Sequence, residues 1–108
     1  MANTFTSYMN KNVGTTAATV VTVGAATQTT VIGMSCANTT ASPVTADAYV
    51  TRSGVDYYLI KGATVPVGSS LVIVGGDQKV VLVTSDVLKV VSSAASSLDV
   101  VTSVLNIT

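Results

Sequence analysis

Through most of the chain apolar positions recur every second residue, the period of a half-buried strand rather than of a helix. The alternation is cleanest over residues 44–51. Val44, Ala46, Ala48 and Val50 point one way there, and Thr45, Asp47, Tyr49 and Thr51 point the other. Similar runs cover residues 16–23, 29–37, 57–60, 71–74, 79–83, 87–91 and 98–107. Turn chemistry separates them: Gly24, the polar segment 38–43 ending in Pro43, Ser53-Gly54, Pro66-Val67-Gly68, Gly75-Gly76-Asp77, Thr84-Ser85-Asp86 and the small residues 92–97. The pattern predicts an all-β fold: a single antiparallel β-sandwich of about eight strands, jelly-roll or immunoglobulin-like. Residues 1–12 read as a polar N-terminal arm, and residues 13–108 as the sandwich domain.

The later strands depart from simple alternation. Leu71, Val72, Ile73 and Val74 are consecutive, and so are Val80, Val81, Leu82 and Val83. The last run offers Val100 and Val104 on one side, with Val101, Leu105 and Ile107 on the other. A sandwich buries one face of each sheet, so a second apolar face needs another cover, and a neighbouring subunit supplies it most simply. Val72, Val74, Val81, Val83, Val101, Leu105 and Ile107 are the candidate interface. Leu71, Ile73, Val80 and Leu82 would then fill the core, although alternation alone does not say which set faces inward.

Composition sharpens this picture. The chain holds 21 Val and 17 Thr, about a third of its residues, and both are β-branched and favoured on pleated surfaces. Only 9% of residues are charged and five Lys+Arg balance five Asp, so no basic stripe exists to neutralise a nucleic acid. Mean hydropathy is +0.61, yet residues 12–46 are rich in Thr and broken by Gly and Pro, unlike a membrane helix. One Phe and four Tyr are too few for the aromatic girdles of a membrane barrel. No membrane partner is expected.

Candidate chemistry is sparse. With no His there is no ordinary Ser-His-Asp triad or His-ligated metal site. Cys36, the lone cysteine, shares an alternating run with Ile32 and Met34 and reads as a buried small hydrophobe. Neither Gly75-Gly76-Asp77 nor Val67-Gly68-Ser69-Ser70 leads into a helix, so both read as turns rather than phosphate loops. Asp47, Asp56, Asp77, Asp86 and Asp99 lie too far apart for a calcium loop, and those at turns read as residues bonding nearby backbone amides. Of Tyr57 and Tyr58, adjacent on one strand, one is expected in the core and the other at the rim. Neither an enzyme activity nor a cofactor is expected. A carbohydrate-binding module using Tyr49, Tyr57 or Tyr58 would lack the Trp that such platforms favour.

The order of segments resembles small virion structural proteins of tailed bacteriophages, especially those of cyanobacteria and other aquatic bacteria. The stretches that carry it are Thr30-Val31-Ile32-Gly33-Met34, Tyr57-Tyr58-Leu59-Ile60-Lys61, Val65-Pro66-Val67-Gly68-Ser69-Ser70-Leu71 and Asp86-Val87-Leu88-Lys89-Val90-Val91. With Ala37-Asn38-Thr39-Thr40, Gly75-Gly76-Asp77-Gln78-Lys79, Leu98-Asp99-Val100 and Val104-Leu105-Asn106-Ile107-Thr108 the similarity covers nearly the whole chain after about residue 12, in strand-and-turn patterns rather than catalytic motifs. The resemblance implies a virion component made in the host cytoplasm and held by other virion proteins. A capsid decoration or cement protein on the major capsid protein is the first expectation; a neck, collar or tail accessory protein is the alternative. In either case it is expected to be a homo-oligomer or particle-bound.

Overall fold

Nine strands account for the described chain: β1 (Asn3–Val13), β2 (Ala18–Thr22), β3 (Gln28–Asn38), β4 (Val44–Arg52), β5 (Val55–Val65), β6 (Ser70–Val74), β7 (Val80–Leu82), β8 (Val87–Ser92) and β9 (Leu98–Ile107). The computed structural model describes residues 2–75 and 78–108. No helix among these residues is long and apolar enough to cross a membrane. Gly76 and Asp77 of the expected Gly75-Gly76-Asp77 turn lie outside the described residues.

All pairings are antiparallel. One sheet, here sheet A, runs β1-β9-β3-β6, with β7 also paired to β3; the other, sheet B, runs β2-β8-β4-β5. The pairs are nested. β4 and β5 form a hairpin whose two-residue loop, Ser53-Gly54, has positive φ at both positions, the geometry of a type I′ turn. Outside that hairpin lies β3 with β6 and β7, then β2 with β8, then β1 with β9. A nested ribbon rolled so that β9 meets β3 and β8 meets β4 is the jelly-roll topology. The immunoglobulin-like alternative is thereby set aside.

Between the sheets the core is made of small side chains, with Met34, Leu82, Leu88 and Leu98 the largest that are fully buried. β4 follows its alternation throughout: Val44, Ala46, Ala48 and Val50 are buried, and the residues between them are not. Two buried polar clusters fasten the loops. Asn38 donates from Nδ2 to the carbonyls of Ser42 and Val65 and accepts at Oδ1 from both the amide and the hydroxyl of Thr40, so all its capacity is used in ordering the 38–43 turn and tying it to β5. The Ser92 and Ser97 hydroxyls bond one another, and the amides of Ser92 and Ser97 donate to the carbonyls of Gly14 and Val13. The backbone at Gly14 approaches so closely that a Cβ there would sit 3.1 Å from the Ser96 nitrogen.

Three observations depart from the sequence-based expectations. Residues 3–13, most of them read as a polar arm, form β1 and pair with β9 from Asn3↔Ile107 to Asn10↔Val100. Ile32 does not share the Met34 and Cys36 face. A bulge between Val31 and Gly33 shifts the phase of β3, so Val31 and Met34 are both buried and Ile32 is not. A second bulge sets Met34 opposite Val74 but Ser35 opposite Val72, which makes Ile73 the extra residue. Val74 therefore turns inward with Ile73, and the expectation that it shares an outward face with Val72 is corrected.

Candidate functional site

The outer face of sheet A is where the chain leaves apolar side chains uncovered. Strand pairing lines them up in two rows. Met9, Val101, Ser35 and Val72 are successive partners across β1, β9, β3 and β6. Phe5, Leu105, Thr30 and Val81 are the corresponding row across β1, β9, β3 and β7. Phe5 and Met9 are 76% and 74% exposed, and Val72 and Val81 are 66% and 59% exposed. Val101 and Val83 are exposed as well, and Leu105 and Ile107 are half-buried. Of the candidate interface residues, the structure thus gathers Val72, Val81, Val101, Leu105 and Ile107 on one sheet face, sets Val83 just past the end of β7, and removes Val74 to the core.

Neither row contains a charged residue. Beyond the Met9 end of the first row Lys11 and Asp99 pair at 2.9 Å. Asp99 also accepts the Asn12 amide, and that bond, followed by Lys11, holds its carboxyl below the usual carboxylate range. At the centre, Gly33, Ser35 and Ser103 leave a shallow hollow of about 240 Å³ between Val72 and Val101. Small residues flanked by apolar ones present a surface that a partner side chain can enter. Four strands about 4.8 Å apart and roughly eight residues long cover on the order of 400–500 Å². Ser7, Thr30, Ser35 and Ser103 share that area with the apolar side chains, so the apolar patch is smaller than the face that carries it.

Sequence reasoning missed Phe5 and Met9. The signal was present in alternation, since Phe5, Ser7 and Met9 share one side of β1 and Thr6, Tyr8 and Asn10 the other. It was hidden because the inward set is the polar one.

The outer face of sheet B has the opposite character. Tyr49 lies beside Tyr58, with ring centroids 5.0 Å apart at 40°, and the Lys61 ammonium sits 4.4 Å above the Tyr58 ring. Burial and the neighbouring Asp56 raise the Tyr49 hydroxyl above its ordinary pKa. Asp47 accepts the Gly62 amide at a bulge in β5, and Asp56 accepts the Thr51 hydroxyl. One face of the Tyr58 ring is thus taken by Lys61 while its neighbour Tyr49 packs against it at an angle. Tyr57 and Tyr58 are both exposed, correcting the expectation that one is core. β5 is the edge of sheet B, so Tyr57, opposite Val50, borders an open cleft of about 360 Å³ with Val80 and Leu82 on its far side.

Other polar groups serve the fold. Asp86, whose side chain is 1% exposed, is held by the Nε and Nη2 groups of Arg52 at 2.8 and 2.6 Å and by the Val83 amide. The Arg52 bonds hold its carboxyl below the ordinary range. Cys36 is fully buried, and burial pushes its thiol up. Among the described residues no group of three or more His, Cys, Asp or Glu side chains is placed to hold a metal ion.

No protein-family model matches the chain, and no curated protein matches it either. A solved structure of Bacillus endospore appendages, described as disulfide-linked pili, aligns over 99% of this chain and 87% of its own, with a TM-score of 0.58 and 16% identity. A chain from the infectious bursal disease virus Gt strain aligns over 98% of this chain and 30% of its own, with a TM-score of 0.45 and 9% identity, too distant to bear on the argument. The appendage structure shares the fold of this chain.

Proposed function

We propose that this chain is a structural subunit of a multi-copy particle, a phage capsid decoration or cement protein that docks through the outer face of sheet A. The observation that carries this reading is the pair of uncharged rows that leave Phe5, Met9, Val72 and Val81 in water. A protein with five positive and five negative charges also has little net repulsion to keep copies apart. The bacteriophage resemblance supplies the kind of particle. The fold likeness to an appendage subunit supports a structural role in general. Disulfide linkage of the kind named for that appendage is not supported here, because Cys36 is the single cysteine and is buried.

The test is the number of copies per particle, read by quantitative mass spectrometry of purified virions. Hundreds of copies support a decoration protein. Around a dozen moves the chain to the neck, collar or tail, where rings of low copy number sit. Absence from the particle defeats both.

A further inference from the structure

Among the exposed strand edges, β1 differs from the others. β2 has five residues and a bulge; β6 has five residues and a bulge; β7 has three residues. β5 is interrupted by register shifts and carries Asp56 and Lys61. Short strands, bulges and charges are the usual devices that stop an edge from pairing with another chain. β1 lacks all of them from Asn3 to Asn10: its register with β9 is unbroken there, and the stretch has no Pro, no Gly and no charge.

The phase of the ladder shows which groups are free. Ala2 and Thr108 exchange both backbone hydrogen bonds, at 3.0 and 2.9 Å. Even-numbered residues of β1 therefore direct N–H and C=O toward β9, and Asn3, Phe5, Ser7 and Met9 direct theirs to the open edge. We infer that this edge pairs with the β1 edge of a second copy, antiparallel, about a two-fold axis through Ser7. The inference deepens the assembly reading by naming a self-contact, and it can fail separately from it.

The register follows from the sequence of β1. Centring on Ser7 sets Phe5 opposite Met9 of the second copy, Thr6 opposite Tyr8 and Asn3 opposite Lys11. It pairs the most residues before the irregularity after Asn10, and every edge-facing group meets another edge-facing group. It opposes no like charges, because Lys11 meets a neutral Asn and keeps its own Asp99. Each Phe5 ring meets a Met9 thioether, a favourable sulfur–aromatic contact that occurs twice by symmetry. The two A sheets become continuous, which joins their apolar outer faces into one uncharged surface with Phe5 and Met9 at its centre. A seam of one strand pair is smaller than a standard interface of about 800 Å² per partner, so a weak dimer is expected.

The experiment is sedimentation velocity from about 1 to about 200 μM, a range suited to a micromolar dissociation constant. It uses the Val72→Lys/Val81→Lys background, so that association through the outer face does not contribute. The expected result is a reversible dimer that Ser7→Pro weakens by about 100-fold or more, some two powers of ten in dissociation constant. Ser7 directs its amide to the open edge, so Pro there removes no internal ladder bond. Ser7→Cys covers the case in which the proline variant does not fold. Paired Cα atoms about 5.5 Å apart lie within disulfide reach, so mild oxidation should give a covalent dimer, whereas Asn3→Cys should not cross-link to itself. A monomer throughout the range, a folded Ser7→Pro variant that still dimerises, or cross-linking at Asn3 in place of Ser7 would overturn the pairing. A dimer that is lost in Ser7→Pro while virions contain no copies would uphold the pairing and defeat only the particle reading.

Discussion

The two outer faces of this sandwich are built from the same strand geometry and carry opposite chemistry. On sheet B the outward positions hold Asp47, Tyr49, Tyr58, Lys61 and Lys89 beside the half-buried Val87 and Val91, and most of the polar atoms or rings are already engaged within the molecule. On sheet A the outward rows hold Phe5, Met9, Val72, Val81 and Val101, separated by Ser, Thr and Gly. The core does not require this difference, since both sheets fill it from their inner faces. A jelly roll needs only one apolar face per sheet. The comparison therefore teaches that the apolar content of the later strands, which exceeds what the fold consumes, is concentrated where a partner can cover it.

The largest effect should come from making sheet A resemble sheet B. Val72→Lys together with Val81→Lys places two charges in the proposed contact, where each would be buried without a counter-ion. Particle binding should fall by about 100-fold or more, which corresponds to roughly 3 kcal/mol, and circular dichroism should remain that of a folded β protein. The matching change on sheet B, Thr19→Lys with Thr45→Lys, should leave binding within about threefold of wild type, under 1 kcal/mol. Co-sedimentation with particles lacking the protein measures both. Equal losses from the two pairs would dissolve the distinction between the faces.

The next effect concerns a bond that belongs to neither outer face. Asp86 ties the β7–β8 turn of the chain to Arg52 at the end of β4, and so fastens sheet A to sheet B. Asp86→Ala removes a buried, charge-assisted acceptor and leaves the Val83 amide without its partner. The cost should be about 2–3 kcal/mol, a fall of roughly 10 °C or more in Tm for a domain of this size. Thermal unfolding followed by circular dichroism reads it. A change within about 0.5 kcal/mol, the usual range for surface substitutions, would show that the nested ribbon closes without this clamp.

Much of the architecture was legible before the structure. Eight of the nine strands announce themselves because Gly, Pro, Asp and Ser punctuate runs of alternating Val and Thr, and Cys36 was placed correctly inside. What could not be read was phase. A bulge adds one residue and turns the rest of a strand over, so Ile32 left the face expected for it and Val74 entered the core. β1 was missed for a related reason: its inward positions are Thr6, Tyr8 and Asn10, and a search for inward apolar residues passes over it. The Arg52–Asp86 pair joins residues distant in sequence, and no local pattern marks it. The outer face of sheet A was anticipated in part, through Val72, Val81 and Val101, but its most exposed members, Phe5 and Met9, were not.

Acid should act on the fold through two carboxylates, with a sign that can be worked out. Asp86 and Asp99 have folded pKa values below their unfolded ones, so the unfolded chain binds more protons in the interval between. Their contribution is complete above the ordinary carboxylate pKa of about 4 and is lost as pH falls through the depressed folded values. Stability should therefore decline below about pH 4. Tyr49 is raised in the folded state, so its contribution is complete below the ordinary tyrosine value near 10 and is lost as pH rises through its folded value. Between about pH 5 and 7.5 the curve should be flat, because the chain contains no His. From about pH 8 the buried Cys36 thiol, raised in the folded state, begins to cost stability as the unfolded thiol ionises. Urea midpoints across pH measure this, and a step near pH 6–7 would contradict it.

The smallest effect tests whether the engaged aromatic face of sheet B does anything beyond keeping its rings occupied. Tyr58→Ala removes the ring that Tyr49 packs against and over which the Lys61 ammonium sits. An exposed cation–π contact contributes about 0.5–1 kcal/mol, and a cross-strand aromatic pair adds a similar amount. Tyr58 lies on edge strand β5 and is itself exposed, so the backbone can keep its ladder with β4 when the ring is gone. The expected outcome is a loss of about 1 kcal/mol in urea unfolding, with particle binding and self-association unchanged. Lys61→Gln should cost less than Tyr58→Ala, because it leaves the Tyr49–Tyr58 contact in place. If Tyr58→Ala instead abolishes particle binding while the fold persists, sheet B is the docking face, and the apolar rows of sheet A serve the contact between copies alone.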